Sequence, residues 1–165
     1  MTDAQGAPAR LNRPLRLSHG TLECRNLAKS RRFYEEFLGL DCVRHGRRTM
    51  LIRSGGYWSI VCVEVGEDKV HPMGLWNHWG IDLPSAEAVK EAHEKAEALK
   101  DVYEIDKITR VGMRHGTYQF HFRDRDGNWW EFQHVDENRY DRLFGEGDAF
   151  ADDGTPLRAG AEDAE

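Results

Sequence analysis

The chain has no closely spaced pair of cysteines. Cys24, Cys42 and Cys62 stand apart, each inside an apolar, strand-like run. That spacing reads as three reduced core thiols in a cytoplasmic protein and not as a disulfide framework. No apolar run approaches ~18 residues, and no hydrophobic signal region opens the chain, so a soluble intracellular protein with no membrane partner is expected. A basic face is missing too. Seven acidic residues and one arginine within 146–165 account for the whole net charge of −6, leaving 22 acidic and 22 basic residues before them. Nucleic acid is therefore a poor partner for this chain.

What the sequence does have is aromatic content and length. Five Trp, five Tyr and seven Phe in 165 residues argue against general disorder and supply one domain with a real core. Residues 1–14, small, polar and Pro-containing, read as a flexible arm. Residues 15–145 read as a single domain and residues 146–165 as an acidic, disordered tail. Within 136–145, Tyr140, Leu143 and Phe144 point to a short helix over the domain.

The domain reads as an internal repeat. Ser18-His19-Gly20-Thr21-Leu22-Glu23-Cys24 and Asn77-His78-Trp79-Gly80-Ile81-Asp82-Leu83 each open with a polar residue and a histidine. Each leads to a helix-capping residue seven positions after the histidine, Asn26 and Ser85. In the first module (17–66) the Leu17–Cys24 strand precedes a helix with a Phe33/Tyr34/Phe37/Leu38 stripe and a stop at Gly39. Strands then follow at Asp41–His45, Arg48–Arg53 and Tyr57–Val65, the last two joined by Ser54-Gly55-Gly56. In the second module (77–135) a strand at Asn77–Leu83 precedes a helix that aligns Val89, Ala92, Ala96 and Leu99. Strands follow near Lys107–Arg114, Thr117–Arg123 and Asn128–Val135, with a turn at Asp126-Gly127-Asn128. Both modules read βαβββ, an α+β class in which two copies can surround a shared cleft. The linker 66–76 is charged and contains Pro72.

The repeat places His19 and His78 at equivalent positions. Glu131 lies in the last strand between Trp130 and Phe132, where burying a carboxylate is costly unless it is paired or bound to a metal. Two imidazoles and one carboxylate suit Fe(II), Mn(II), Zn(II) or Ni(II) and leave coordination positions open. His121 lies ten residues before Glu131 and faces it if the hairpin pairs symmetrically about Asp126. It then acts either as an acid/base or as a partner that orients Glu131. His115, in the Arg114-His115-Gly116 turn, is a second acid/base candidate or simply a solvated turn residue. Glu64 reads either as a further ligand or as a polar strand end. His93 lies on a polar helix face and is expected to be solvated. Trp76, Trp79, Tyr118, Trp129 and Trp130 either line an aromatic-substrate pocket or fill the core.

The paired βαβββ units, the opening SHGTLECRNLAKSRRFYEEFLGL and the ending FRDRDGNWWEF resemble the vicinal oxygen chelate superfamily over about residues 17–135. That superfamily includes glyoxalase I, type I extradiol dioxygenases, fosfomycin-resistance thiol transferases, methylmalonyl-CoA epimerase and bleomycin-binding proteins. The resemblance puts its metal positions on His19, His78 and Glu131. Within the superfamily, MRHGTYQFHF resembles the extradiol pattern, with His115 matching its histidine and His121 standing where its tyrosine would be. What this implies is Fe(II)-dependent cleavage of a catecholic ring with O2, on an aromatic diol substrate, with His115 and His121 catalytic. A homodimer is expected. A glyoxalase-like lyase or isomerase, which would need Glu64 as fourth ligand, is the competing reading. So are a thiol transferase using Arg110, Arg114 or Arg123 for a phosphonate, and a metal-free binding protein.

Overall fold

The computed structural model describes residue 12 and residues 14–158, so residues 1–11 and 13 of the expected arm and 159–165 of the expected tail lie outside the described residues. The chain divides into two compact units, Met1–Glu67 and Asp68–Glu165, which follow the two sequence modules. Among the described residues, no helix is long and apolar enough to cross a membrane.

In the first unit, β1 (His19–Cys24) leads to α1 (Leu27–Arg32). Asn26 caps that helix by accepting a hydrogen bond from the Lys29 amide at 3.1 Å, a contact that supports a helix end by about 1 kcal/mol. The helix continues as a π turn over Phe33–Phe37, and Gly39 ends it with a φ of 70°. Strands β2 (Asp41–Gly46), β3 (Thr49–Arg53) and β4 (Ser59–Glu64) complete a sheet of order β1-β4-β3-β2, with β1 parallel to β4. Leu22, Cys24, Met50, Ile52, Ile60 and Cys62 are buried on one face with Leu27, Phe33 and Tyr34 of the helical segment. The three cysteines are free and buried. Burial and the nearby Glu35 carboxylate push the Cys42 thiol up to about 12.

The second unit repeats this plan. Here β5 (His78–Asp82) leads to α2 (Ala86–Tyr103), whose cap, Ser85, accepts from the Ala88 amide at 3.1 Å. The third strand expected at Lys107–Arg114 is two short pieces, β6 (Lys107–Ile108) and β7 (Gly112–Arg114), both antiparallel to β8 (Thr117–Arg123). The break carries Thr109, whose backbone amide and hydroxyl bond to the His121 carbonyl and amide, each at 2.8 Å. The last strand, β9 (Trp129–His134), is antiparallel to β8 and parallel to β5. Alternation along these strands separates two faces. Phe120, Phe122 and Phe132 cluster on one, with centroids 5.1–5.9 Å apart, and α2 buries Val89 and Ala96 against the same side.

His93 is not solvated as its helix position suggested. It is half-buried, donates from Nε2 to the Thr109 carbonyl (3.1 Å), and meets Phe120 edge-on at 4.9 Å. Sequence periodicity could not show that the polar helix face here turns onto β8. The predicted short helix forms as α3 (Arg139–Glu146). Residues 147–158 continue into a turn closed by a bridge between Phe150 and Pro156, and Arg158 pairs with Glu146 at 2.8 Å.

Candidate metal centre

The second sheet's other face carries the polar set. Strand pairing sets His121 directly opposite Glu131 and Gly80 opposite Glu131 on the other side, as symmetric pairing about Asp126 requires. That register has a specific anchor. The buried Asp124 carboxylate accepts hydrogen bonds from the Asp126 and Asn128 amides (2.9 Å each), the Asn128 side chain (3.2 Å) and the Trp130 indole (3.1 Å). Four donors on one carboxylate fix the hairpin turn and hold Trp130 in the core. Of the aromatic residues singled out in the sequence, Trp130 and Trp129 are therefore core, while Trp76 lines a cavity.

That cavity, of about 310 Å³, is lined by His78, His115, His121, Glu131, Arg114 and Gln119, among others. Its wall includes Arg139, Tyr140 and Leu143 from α3. Tyr140 accepts a hydrogen bond from Gln133 at 3.0 Å, and Gln133 also donates to Asp82 at 2.8 Å. The Arg139 guanidinium donates to the His115 carbonyl and lies against Gly116, where any side chain would collide with it. His115 and Gly116 both have positive φ, 49° and 74°, the pairing of a tight two-residue hairpin turn.

At the base of the cavity, His78 Nε2 lies 3.1 Å from Glu131 Oε2, and His121 Nε2 lies 3.8 Å from Glu131 Oε1. The side chains of His121 and Glu131 are only 9% and 10% exposed. The other nitrogen of His78, Nδ1, is 2.7 Å from the Leu75 carbonyl. A carbonyl only accepts, so that nitrogen carries the proton and the ring is fixed in one tautomer. A neutral ring so fixed turns a lone pair toward a carboxylate, an arrangement that needs a proton or a cation between the two. Burial, with the fields of His78, Arg114 and His115, lowers the His121 imidazole to about 4 and keeps it neutral. Burial raises Glu131 above the usual carboxylate range, opposed by His78. One ligand atom from each of His78, His121 and Glu131 can lie within 4.8 Å of the other two. Two nitrogens and one oxygen in a buried site fit a divalent transition metal.

The remaining sequence candidates fall elsewhere. His19 belongs to the first unit, is exposed, and has Ser18 Oγ 2.9 Å from its Nδ1. Its equivalence to His78 holds in the topology: each is the first residue of a strand that runs parallel to the last strand of its unit. The same register fixes what stands for the other site residues. Glu131 pairs with Gly80, two positions after His78, and Val61 pairs with Thr21, two positions after His19. The first unit's counterpart of the His121–Glu131 pair is thus Leu51–Val61. Glu64 is three residues away from that position, and its carboxylate accepts from the Leu27 amide at 2.8 Å, at the start of α1. Of the three arginines considered for an anion, Arg114 lines the cavity. Arg123 is bound by Asp106, whose carboxyl it holds below the ordinary carboxylate range. Sequence reasoning missed Asp124 and α3's Arg139. The close-set Asp124, Asp126 and Asn128 were a turn signal for the first, and nothing local signalled the second.

Two βαβββ units, the second with a His78–His121–Glu131 cluster on the sheet face opposite its helix, define a paired-repeat α+β class that carries a candidate metal site. The profile of the Glyoxalase/Bleomycin resistance protein/Dioxygenase superfamily matches residues 16–132, and the chain belongs to that superfamily. Solved structures agree in fold. The fosfomycin resistance protein FosX from Listeria monocytogenes, complexed with Mn(II) and sulfate, is 20% identical with a TM-score of 0.60, covering 79% of this chain and 98% of that one. Lactoylglutathione lyase from Agrobacterium tumefaciens is 18% identical with a TM-score of 0.54, covering 74% and 96%. A possible glyoxalase from Bacillus cereus is 18% identical with a TM-score of 0.56, covering 72% and 98%. Comparison with curated proteins returns no significant match.

Proposed function

We propose that the chain is a divalent-metal-dependent enzyme acting on a small anionic substrate that presents two adjacent oxygens. The observation that carries this reading is the opposed pair of His78 Nε2 and Glu131 Oε2, 3.1 Å apart, with the His78 tautomer fixed by Leu75. His78 and Glu131 hold the metal, and the sequence candidate His19, the topological counterpart of His78 in the first unit, is tested by its own alanine variant. Mn(II), found with FosX, heads the candidates, alongside Fe(II), Zn(II) and Ni(II). The bound metal supplies Lewis acidity to the substrate oxygens. Arg114 and Arg139 on the cavity wall attract the anion. Exposed His115, on the cavity wall, serves as the acid/base, which buried, neutral His121 cannot do near pH 7.

Ring cleavage of a catechol with O2 on Fe(II) is the second reading, favoured by His115 lining the same cavity as His78 and Glu131. The proposal includes a cytoplasmic location, which the three free, buried cysteines support. A homodimer belongs to the same proposal; exposed Leu17, Val43 and Tyr57 of the first unit are apolar surface for such a contact, and light scattering checks it.

Elemental analysis of the purified protein tests the reading, followed by turnover assays on the metal-loaded enzyme. Stoichiometric metal, lost in His78→Ala, is expected; a metal-free protein that binds its ligand unchanged would make it a sequestering protein instead. Oxygen uptake with any catechol selects ring cleavage. Turnover of phosphonate epoxides or 2-oxoaldehyde–thiol adducts without oxygen uptake selects the transferase and lyase classes. His115→Asn, which retains a residue tolerant of positive φ, is expected to keep the metal and lower kcat by about 100-fold or more.

A further inference from the structure

We infer that His121 is itself a metal ligand, so that His78, His121 and Glu131 form a three-donor centre complete within the second unit. This rests on the proposed metal dependence and changes which residues carry it. The two roles offered by the sequence for His121 both fit poorly with its surroundings. As a partner that orients Glu131 it would need a hydrogen bond, but its Nε2 lies 3.8 Å from Oε1, beyond hydrogen-bonding distance. As a proton carrier it would need a route to solvent, but its side chain is 9% exposed.

Its Nδ1 is buried without a hydrogen-bond partner. A buried polar atom left unsatisfied costs about 1–3 kcal/mol; with no partner at Nδ1 dictating the tautomer, Nε2, the nitrogen that faces Glu131, can present its lone pair to a cation. The backbone is not free to relieve this, because the His121 amide is tied to Thr109 Oγ1 and the strand is paired on both sides. The neighbours are disposed as ligands to one point. The His78 and His121 rings meet at a 4.6 Å centroid distance and an interplanar angle of 75°. Each ring approaches a different oxygen of Glu131. The register supplies a control within the molecule: the first unit has Leu51 and Val61 where His121 and Glu131 stand, so the fold itself does not require a polar pair there.

The test uses the full chain loaded with one equivalent of ¹¹³Cd(II). Scalar coupling from cadmium to the ring protons of His121 as well as His78 is expected. One equivalent bound with coupling to His78 and none to His121 overturns the assignment while leaving metal dependence standing. Absence of any cadmium, manganese or zinc binding removes the proposed function along with it. As a second arm, His19→Ala is expected to keep stoichiometric binding, because three donors remain; complete loss of metal overturns the claim that the centre is complete within the second unit. His121→Gln is expected to weaken Mn(II) binding at least tenfold, with His93→Gln, on the opposite sheet face, unchanged.

Discussion

His78 Nε2 stands 3.1 Å from Glu131 Oε2 while His78 Nδ1 is held 2.7 Å from the Leu75 carbonyl. One nitrogen is committed to the backbone and the other to the carboxylate. A divalent ion that binds this site and not the unfolded chain raises stability by mass action, about 2.7 kcal/mol at a hundredfold excess over Kd. Differential scanning with and without Mn(II) or Zn(II) should therefore show a concentration-dependent rise in Tm. Glu131→Gln should lower metal affinity by more than about 100-fold and abolish the rise, since losing a ligand exceeds the cost of disturbing its supports.

Glu64→Gln should leave metal affinity unchanged. The Glu64 carboxylate accepts from the Leu27 amide at the start of α1, and its loss removes a favourable charge from a helix N-terminus, worth about 1 kcal/mol. Chemical denaturation and metal titration of one variant separate the two effects. A loss of metal in this variant would instead make Glu64 the fourth ligand of a lyase-type site.

Stability of the metal-free protein should rise with pH between about 4 and 6.5. The folded His121 titrates near 4 because burial disfavours its charged form, whereas an unfolded histidine titrates near 6.5. In that window the unfolded state binds the extra proton, so stability is lost as pH falls through it. Urea melts across this range, compared with His121→Gln, isolate the contribution, and NMR titration of the ring gives its midpoint directly.

Asp124→Ala should cost about 3 kcal/mol, because the Trp130 indole and Asn128 side chain lose a buried acceptor. These donors converge on Asp124 from across the β8–β9 turn. The hairpin register then loosens, so metal affinity should fall in the same variant although Asp124 lies outside the cavity lining. Urea denaturation with metal titration measures both.

The repeat was legible because both copies use the same local devices: a histidine-led strand, a capping Asn or Ser, and a glycine turn. The His121–Glu131 pairing was legible because a turn centred on Asp126 fixes a two-residue period on both sides. Glu64 could not be resolved this way. Alternation along β4 tells which residues share a face, but the register against β1, which puts Val61 and not Glu64 in the position equivalent to Glu131, is a long-range property. His93 misled for a similar reason, since a polar residue beside a helix's apolar stripe gives no sign of the Thr109 carbonyl it meets. The helix α3 was legible from Tyr140, Leu143 and Phe144, but its place in the cavity wall was not, because the contact of Arg139 with the His115 carbonyl joins residues 24 apart.

The superfamily profile ends at residue 132, and α3 begins at Arg139. Arg139, Tyr140 and Leu143 therefore form cavity wall from a segment beyond the stretch that the family profile matches. Part of the cavity wall can thus vary in sequence without touching the strands that carry His78, His121 and Glu131. Exchanging this C-terminal segment between relatives is the economical route to redirecting such a site.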